Sequence, residues 1–157
     1  MNILYTYSET IVDGEGIRYS IYFAGCPHNC KGCHNPSGRD PKAGKPLTDE
    51  MLTQIISEIN NNPLLDGITL SGGDPFYDPK GILPVIKRLK AETGLSIWCY
   101  TGYLYEDLKL RPDSCAVLDY IDVLVDGPFI ESKYLPTLSF KGSTNQRILD
   151  LSKYKQH

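Results

Sequence analysis

The chain has 157 residues, with 16 Lys and Arg against 19 Asp and Glu and a formal net charge of −3. That length is most simply one domain, large enough to bury a real core. The charge balance argues against a nucleic-acid binder; no apolar run is long enough to span a bilayer, and Met1-Asn2-Ile3-Leu4-Tyr5 opens no basic-then-apolar segment, so no signal peptide is expected.

Residues 1–16 end in a turn by composition, Asp13-Gly14-Glu15-Gly16. Apolar side chains then recur at Ile17, Tyr19, Ile21 and Phe23, the period of a strand. This strand runs into Gly25 and a cysteine-rich loop. Residues 34–47 read as loop because Pro36, Gly38, Pro41, Gly44 and Pro46 punctuate them. A helix is expected from Thr48, which can cap it, with Asp49 and Glu50 in the first turn. Leu47 before the cap can staple on Leu52. Met51, Leu52, Ile55, Ile56 and Ile59 form the core face of that helix, and Asn60 to Pro63 end it.

Gly67 to Leu70 reads as a short strand opening into Ser71-Gly72-Gly73-Asp74-Pro75. A second helix follows Asp78-Pro79 and buries Ile82, Leu83, Val85, Ile86 and Leu89. Its regular part is expected from Gly81 or Ile82, so that Pro84 falls in the first turn. Gly94 closes it. Ser96 to Tyr100 is a third strand, ending at Thr101-Gly102. Residues 105–120 are helical in part, broken near Arg111-Pro112. Ile121 to Val125 is a fourth strand, ending at Asp126-Gly127-Pro128. The chain from Phe129 on is less regular. The alternation of strands and helices predicts an α/β fold with a mostly parallel sheet. Four or five strands are too few for a closed barrel, so the expectation is an incomplete, open β/α barrel in one domain spanning 1–157.

Three of the five cysteines, Cys26, Cys30 and Cys33, lie within eight residues, at the carboxyl end of the first strand. Active sites of α/β sheets are built at that edge. Thiolates at this spacing suit an iron–sulfur cluster or zinc. Three cysteines on a four-iron cluster leave one iron open to a substrate. With His28 or His34 the same loop makes a closed Cys3His zinc site. An odd number of cysteines without a secretory signal argues against a disulfide framework and for a reducing compartment, the cytoplasm. Cys99 and Cys115 have no place in this loop and read as small core residues.

Each later strand end also carries polar or flexible residues. Gly72 and Gly73 allow close backbone approach to a ligand. Asp74 can pair with a cation or cap the next turn. Thr101 and Asp126 end the third and fourth strands. Together the Cys26, Cys30, Cys33 loop and Gly72-Gly73-Asp74 resemble the radical S-adenosylmethionine superfamily, with Asp74 where Glu is usual and Gly32 where an aromatic is common. The resemblance is closer to the anaerobic ribonucleoside-triphosphate reductase activating proteins. It covers nearly the whole chain through Val12 to Arg18, Gly32-Cys33-His34-Asn35, Ser71 to Pro75, Trp98 to Tyr103, Asp126 to Phe129 and Gly142 to Arg147. Glu15 stands where the wider glycyl-radical activators have Pro.

This resemblance implies a radical S-adenosylmethionine oxidoreductase that sets a glycyl radical on its partner. The implied metal ligands are Cys26, Cys30 and Cys33 of a 4Fe-4S cluster. S-adenosyl-L-methionine would be bound by Gly32, Cys33, His34, Gly72, Gly73, Asp74, Thr101 and Asp126. No catalytic side chain is implied beyond the cluster site. The implied partners are the large glycyl-radical subunit of the reductase and an electron donor such as flavodoxin, with no nucleic acid and no membrane. Two other readings stay open: an enzyme of the same superfamily acting on a small molecule, and a non-catalytic zinc-binding interaction module.

Overall fold

A computed structural model describes residues 1–28, 30–32 and 36–153. Among the described residues, seven strands form one open, mixed sheet. In chain order they are β1 (Asn2–Thr10), β2 (Arg18–Phe23), β3 (Lys45–Pro46), β4 (Gly67–Gly72), β5 (Ser96–Tyr100), β6 (Val123–Asp126) and β7 (Arg147–Asp150). Their order across the sheet is β3-β1-β2-β4-β5-β6-β7. The helices are α1 (Asp49–Asn60), α2 (Pro79–Thr93), α3 (Tyr105–Lys109) and α4 (Pro112–Leu118).

The expectation of a mostly parallel sheet rolled into an incomplete barrel is therefore corrected. β2, β4, β5 and β6 are parallel neighbours, but β1 joins β2, β3 joins β1 and β7 joins β6 antiparallel. The reason lies in the connections. A parallel neighbour needs a crossover of about a dozen residues or more. Residues 11–17 between β1 and β2 are too few, so the chain turns straight back. Residues 127–146 carry only a 3-10 turn, Glu131–Lys133, and return β7 antiparallel. β1 and β7 escaped the sequence reading. Exposed Tyr5, Tyr7, Ser8 and Glu9 blur any alternation in β1, and β7 is an edge strand of four residues.

Alternation along the parallel strands separates two faces. Tyr19, Ile21, Phe23, Ile68, Leu70, Ile97, Cys99 and Leu124 join the helices in one core. From α1 come Leu52, Ile55, Ile56 and Ile59, and from α2 Ile82, Val85, Ile86 and Leu89. Each such aliphatic contributes about 1.5–3 kcal/mol by leaving water. The other face carries Arg18, Ser20, Tyr22, Thr69, Ser71, Trp98 and Tyr100. The 12–16 turn and the 134–142 segment cover part of it. Gly14 sits on the Trp98 ring, and Phe140 meets that ring edge-on at 5.4 Å. Arg18 is buried there by neutral acceptors: Nε donates to Thr69 Oγ1, Nη1 to the Glu15 carbonyl and Nη2 to the carbonyls of Ile68 and Ser96.

Local signals account for most helix ends. Thr48 Oγ1 accepts from Met51 N at 3.1 Å, and Leu47 packs on the core. Asn61 caps the end of α1, and Gly94 ends α2 at φ 68°. The start of α2 differs from expectation. Asp78 accepts from Gly81 N, Pro79 occupies the first turn, and Pro84 lies in the helix interior. Pro84 is on the exposed side, where the carbonyl it leaves unpaired can meet water. Cys99 is fully buried, as expected, and burial pushes its thiol pKa well up. Cys115 on α4 is only half-buried.

Candidate cluster and cofactor site

The cysteine loop leaves β2 through Gly25, at φ 98°, where an added Cβ would strike the Tyr77 ring at 2.7 Å. Backbone bonds then close the loop on itself. Gly25 N donates to Gly38 O at 2.8 Å and Cys26 N to Arg39 O at 3.2 Å. Arg39 Nη2 reaches back to Cys30 O at 2.8 Å. Cys26 and Cys30 are partly buried, and both line one cleft. Gly32 is exposed at φ 75°, with the Glu131 side chain 3.1 Å from where a Cβ would be. Cys33 and His34 lie outside the described residues.

The cleft, of about 530 Å³, occupies the polar face at the carboxyl ends of the parallel strands. Gly72, Gly73, Thr101 and Gly102 wall it beside the two cysteines. The two glycines are demanded by the protein's own backbone. At Gly72, φ 107°, a Cβ would lie 2.3 Å from Phe23 N. At Gly73 it would lie 2.5 Å from the carbonyl oxygens of both Gly25 and Gly38. So the turn after β4 is pressed against the two ends of the cysteine loop, and Gly73 N and Asp74 N donate to Phe23 O and Gly25 O.

Asp74 is fully buried and ties the strand ends together. Oδ1 accepts from Phe76 N at 2.9 Å, as the cap of the 3-10 turn Pro75–Tyr77. Thr101 Oγ1 donates across both oxygens at 2.9 and 3.0 Å, and Gly102 N donates to Oδ2 at 2.9 Å. His28 Nε2 completes the set at 2.7 Å from Oδ2. These donors use the acceptor capacity of one carboxylate. Asp74 therefore serves the cleft by shaping its wall. The sequence brought Asp74 and Thr101 forward separately; the fold joins them directly.

Asp126 is placed differently. It is fully buried, receives Tyr105 N at 2.8 Å, and is gripped by Nε and Nη2 of Arg147. At that strand end the cleft wall is Val125 and Gly127. Asp126 and Glu106 raise the Arg147 pKa, Asp126 having the larger effect.

Sequence reasoning missed three residues here. His28 entered only as a zinc ligand, yet its Nε2 goes to Asp74. Asp13 and Tyr22 also line the cleft; Tyr22 donates its hydroxyl to Asp13, and Ser20 Oγ donates to the same carboxylate at 3.1 Å. Burial and then Asp13 push the Tyr22 pKa up. The turn composition around Asp13 hid it, and Tyr22, which falls between the apolar-period positions of its strand, gives no signal of its own.

Cys26, His28 and Asp74 offer one ligand atom each within 4.8 Å of one another, so local geometry alone leaves both zinc and cluster chemistry available. Comparison with known proteins separates them. A family model described as a 4Fe-4S single cluster domain matches residues 12–149. An anaerobic ribonucleoside-triphosphate reductase-activating protein from Pasteurella multocida is 38% identical over 98% of this chain and 100% of its own length. The protein of that name from Haemophilus influenzae is 40% identical over 94% of this chain and 97% of its own. This chain belongs to that family. Activating proteins of this kind extend to enterobacteria phage T4, whose member is 34% identical over 94% of this chain. For a member of the activating-protein family with a 4Fe-4S domain, the bare zinc module is no longer the reading of the cysteine loop. Among the described residues, no helix is long and apolar enough to cross a membrane.

Proposed function

We propose that this chain activates the large glycyl-radical subunit of an anaerobic ribonucleoside-triphosphate reductase, using S-adenosylmethionine at a 4Fe-4S cluster. The observation that carries this reading is the opening of Cys26 and Cys30 into the same cleft as the Gly72-Gly73 turn and Thr101. The donor set fits the group: partly exposed thiols on a short closed loop, with Cys33 following in the sequence, suit iron and sulfide. The cleft volume falls within the range of small-ligand sites.

A cluster held by Cys26, Cys30 and Cys33 would supply the one-electron reduction that cleaves S-adenosylmethionine for hydrogen abstraction from a glycine of the partner. The chain's own residues bind and orient. Cys26, Cys30 and Cys33 hold the cluster. Backbone groups of Gly72 and Gly73 meet the methionine part, and the Gly32-Cys33-His34 stretch meets the adenosyl part. Asp74 and Thr101 keep these walls in register. Asp126 acts at a remove, by holding Arg147 and the start of α3. The whole chain works as one domain. An electron donor such as flavodoxin in the cytoplasm reduces the cluster.

The test is anaerobic reconstitution with iron and sulfide, followed by electron paramagnetic resonance of the reduced protein with and without S-adenosylmethionine. A reduced-cluster signal that changes shape on addition is expected. Cys30→Ala should lose the cluster while its circular dichroism stays native. Stoichiometric zinc with no cluster, or a full iron complement in Cys30→Ala, overturns the assignment.

A further inference from the structure

His28 lies between two of the proposed cluster ligands and has no part in their spacing. Its side chain is 19% exposed. The ring stands edge-on to Tyr103, with centroids 4.6 Å apart. Its Cδ2–Nε2 edge lies on Gly102, where an added Cβ would meet ring Cδ2 at 2.6 Å. A carboxylate only accepts, so the 2.7 Å contact to Asp74 requires that Nε2 carry the hydrogen.

Every other described donor to Asp74 comes from its own turn or from the end of β5. His28 alone among them reaches Asp74 from the cysteine loop. Bonds through Gly38 and Arg39 tie that loop to its own far end. The loop and the β4–β5 wall also meet through backbone, where Gly73 N and Asp74 N donate to Phe23 O and Gly25 O; His28 adds a side-chain bond to that seam.

We propose that His28 is a positioning residue. Its Nε2–H on Asp74 sets the register of the cysteine loop against the β4 and β5 ends, and so the distance between the two halves of the cofactor site. This rests on the cofactor reading above, but half of its test does not. Losing a hydrogen bond to a buried charged group commonly shifts an equilibrium by about tenfold or more.

His28→Phe keeps a ring against Tyr103 and removes the donor. His28→Gln returns a donor close to the Nε2 position. The first arm uses the cluster-free full-length chain under reducing conditions. Alkylation of Cys26 and Cys30 by iodoacetamide is followed by mass spectrometry, with Cys115 as internal reference. Their rates should rise about fivefold or more over Cys115 in His28→Phe and return in His28→Gln. The second arm uses the reconstituted protein. His28→Phe should keep its iron and bind S-adenosylmethionine about tenfold more weakly, and His28→Gln should recover most of that loss.

Unchanged alkylation in His28→Phe overturns the proposal, as does His28→Gln behaving like His28→Phe in either arm. Loss of iron in both variants also overturns it, since His28 would then be holding metal. If the unaltered protein binds no S-adenosylmethionine, the cofactor reading fails and the first arm still decides the role of His28. If His28→Phe does not fold, Asp74→Asn examined by the same alkylation must speed Cys26 and Cys30, and an unchanged rate refutes the coupling.

Discussion

Gly73→Ala isolates a single steric fact. Gly73 is outside the left-handed region, so an alanine brings no backbone strain. Its Cβ would instead lie 2.5 Å from the carbonyl oxygens of Gly25 and Gly38, where ordinary contact begins at 3.4 Å. Both carbonyls must retreat by about 0.9 Å. Neither is free to do so. Gly25 O holds Asp74 N at 2.8 Å, and Gly38 O holds Gly25 N at 2.8 Å. Overpacking of this kind costs about 1–3 kcal/mol. Weakening two hydrogen bonds adds about 1 kcal/mol, for a total near 2–4 kcal/mol. Urea unfolding of the cluster-free chain measures it, with Gly94→Ala as the contrast. Gly94 is at φ 68° with nothing near its Cβ position, so alanine there carries strain alone, about 1 kcal/mol. A Gly73→Ala loss below about 0.5 kcal/mol would refute the reasoning, because it would mean the loop ends yield freely.

Two further outcomes follow from buried polar groups. Arg147→Met strips the fully buried Asp126 of its guanidinium and leaves Tyr105 N as its described donor. Thermal or urea unfolding should show a loss of about 1–3 kcal/mol, and Glu106→Gln almost none, because that pair is solvent-exposed. At high pH the tyrosines take over. Burial raises the Tyr19 pKa from 10.0 to about 12, and raises those of Tyr22 and Tyr100. Between pH 10 and 12 the folded chain keeps a proton that the unfolded chain releases, so stability is full below pH 10 and falls as pH climbs. Urea midpoints across that range should decline, and Tyr19→Phe should flatten the decline; an unchanged slope would contradict the burial assignment.

Much of this molecule was legible because its signals are local. Thr48 and Gly94 mark helix ends through bonds or angles that involve only a few neighbouring residues. The apolar faces of α1 and α2 follow from helical spacing, and the strand before Gly25 from alternation. The three-cysteine spacing and Gly72-Gly73-Asp74 carried the family resemblance for the same reason: each is a short run whose chemistry is written in its own residues. The barrel expectation failed where the answer was non-local. Whether β1 and β7 pair, and in which direction, depends on the free edges that β2 and β6 present and on connections too short or too irregular for a crossover. No residue in either segment encodes that alone.

The same division runs through the site. The sequence by itself determined the candidate ligand types, their order along the chain and their place at strand ends. Only the tertiary structure decided what each one touches. It turned Asp126 away from the cleft toward Arg147, because the returning β7 brings a bidentate cation to that carboxylate. It made Gly73 necessary through backbone 35 and 48 residues away in sequence, at Gly38 and Gly25. It also brought His28 onto Asp74 from 46 residues away. A buried carboxylate must be met by donors, and the donors available were fixed by which strand ends the parallel sheet set side by side.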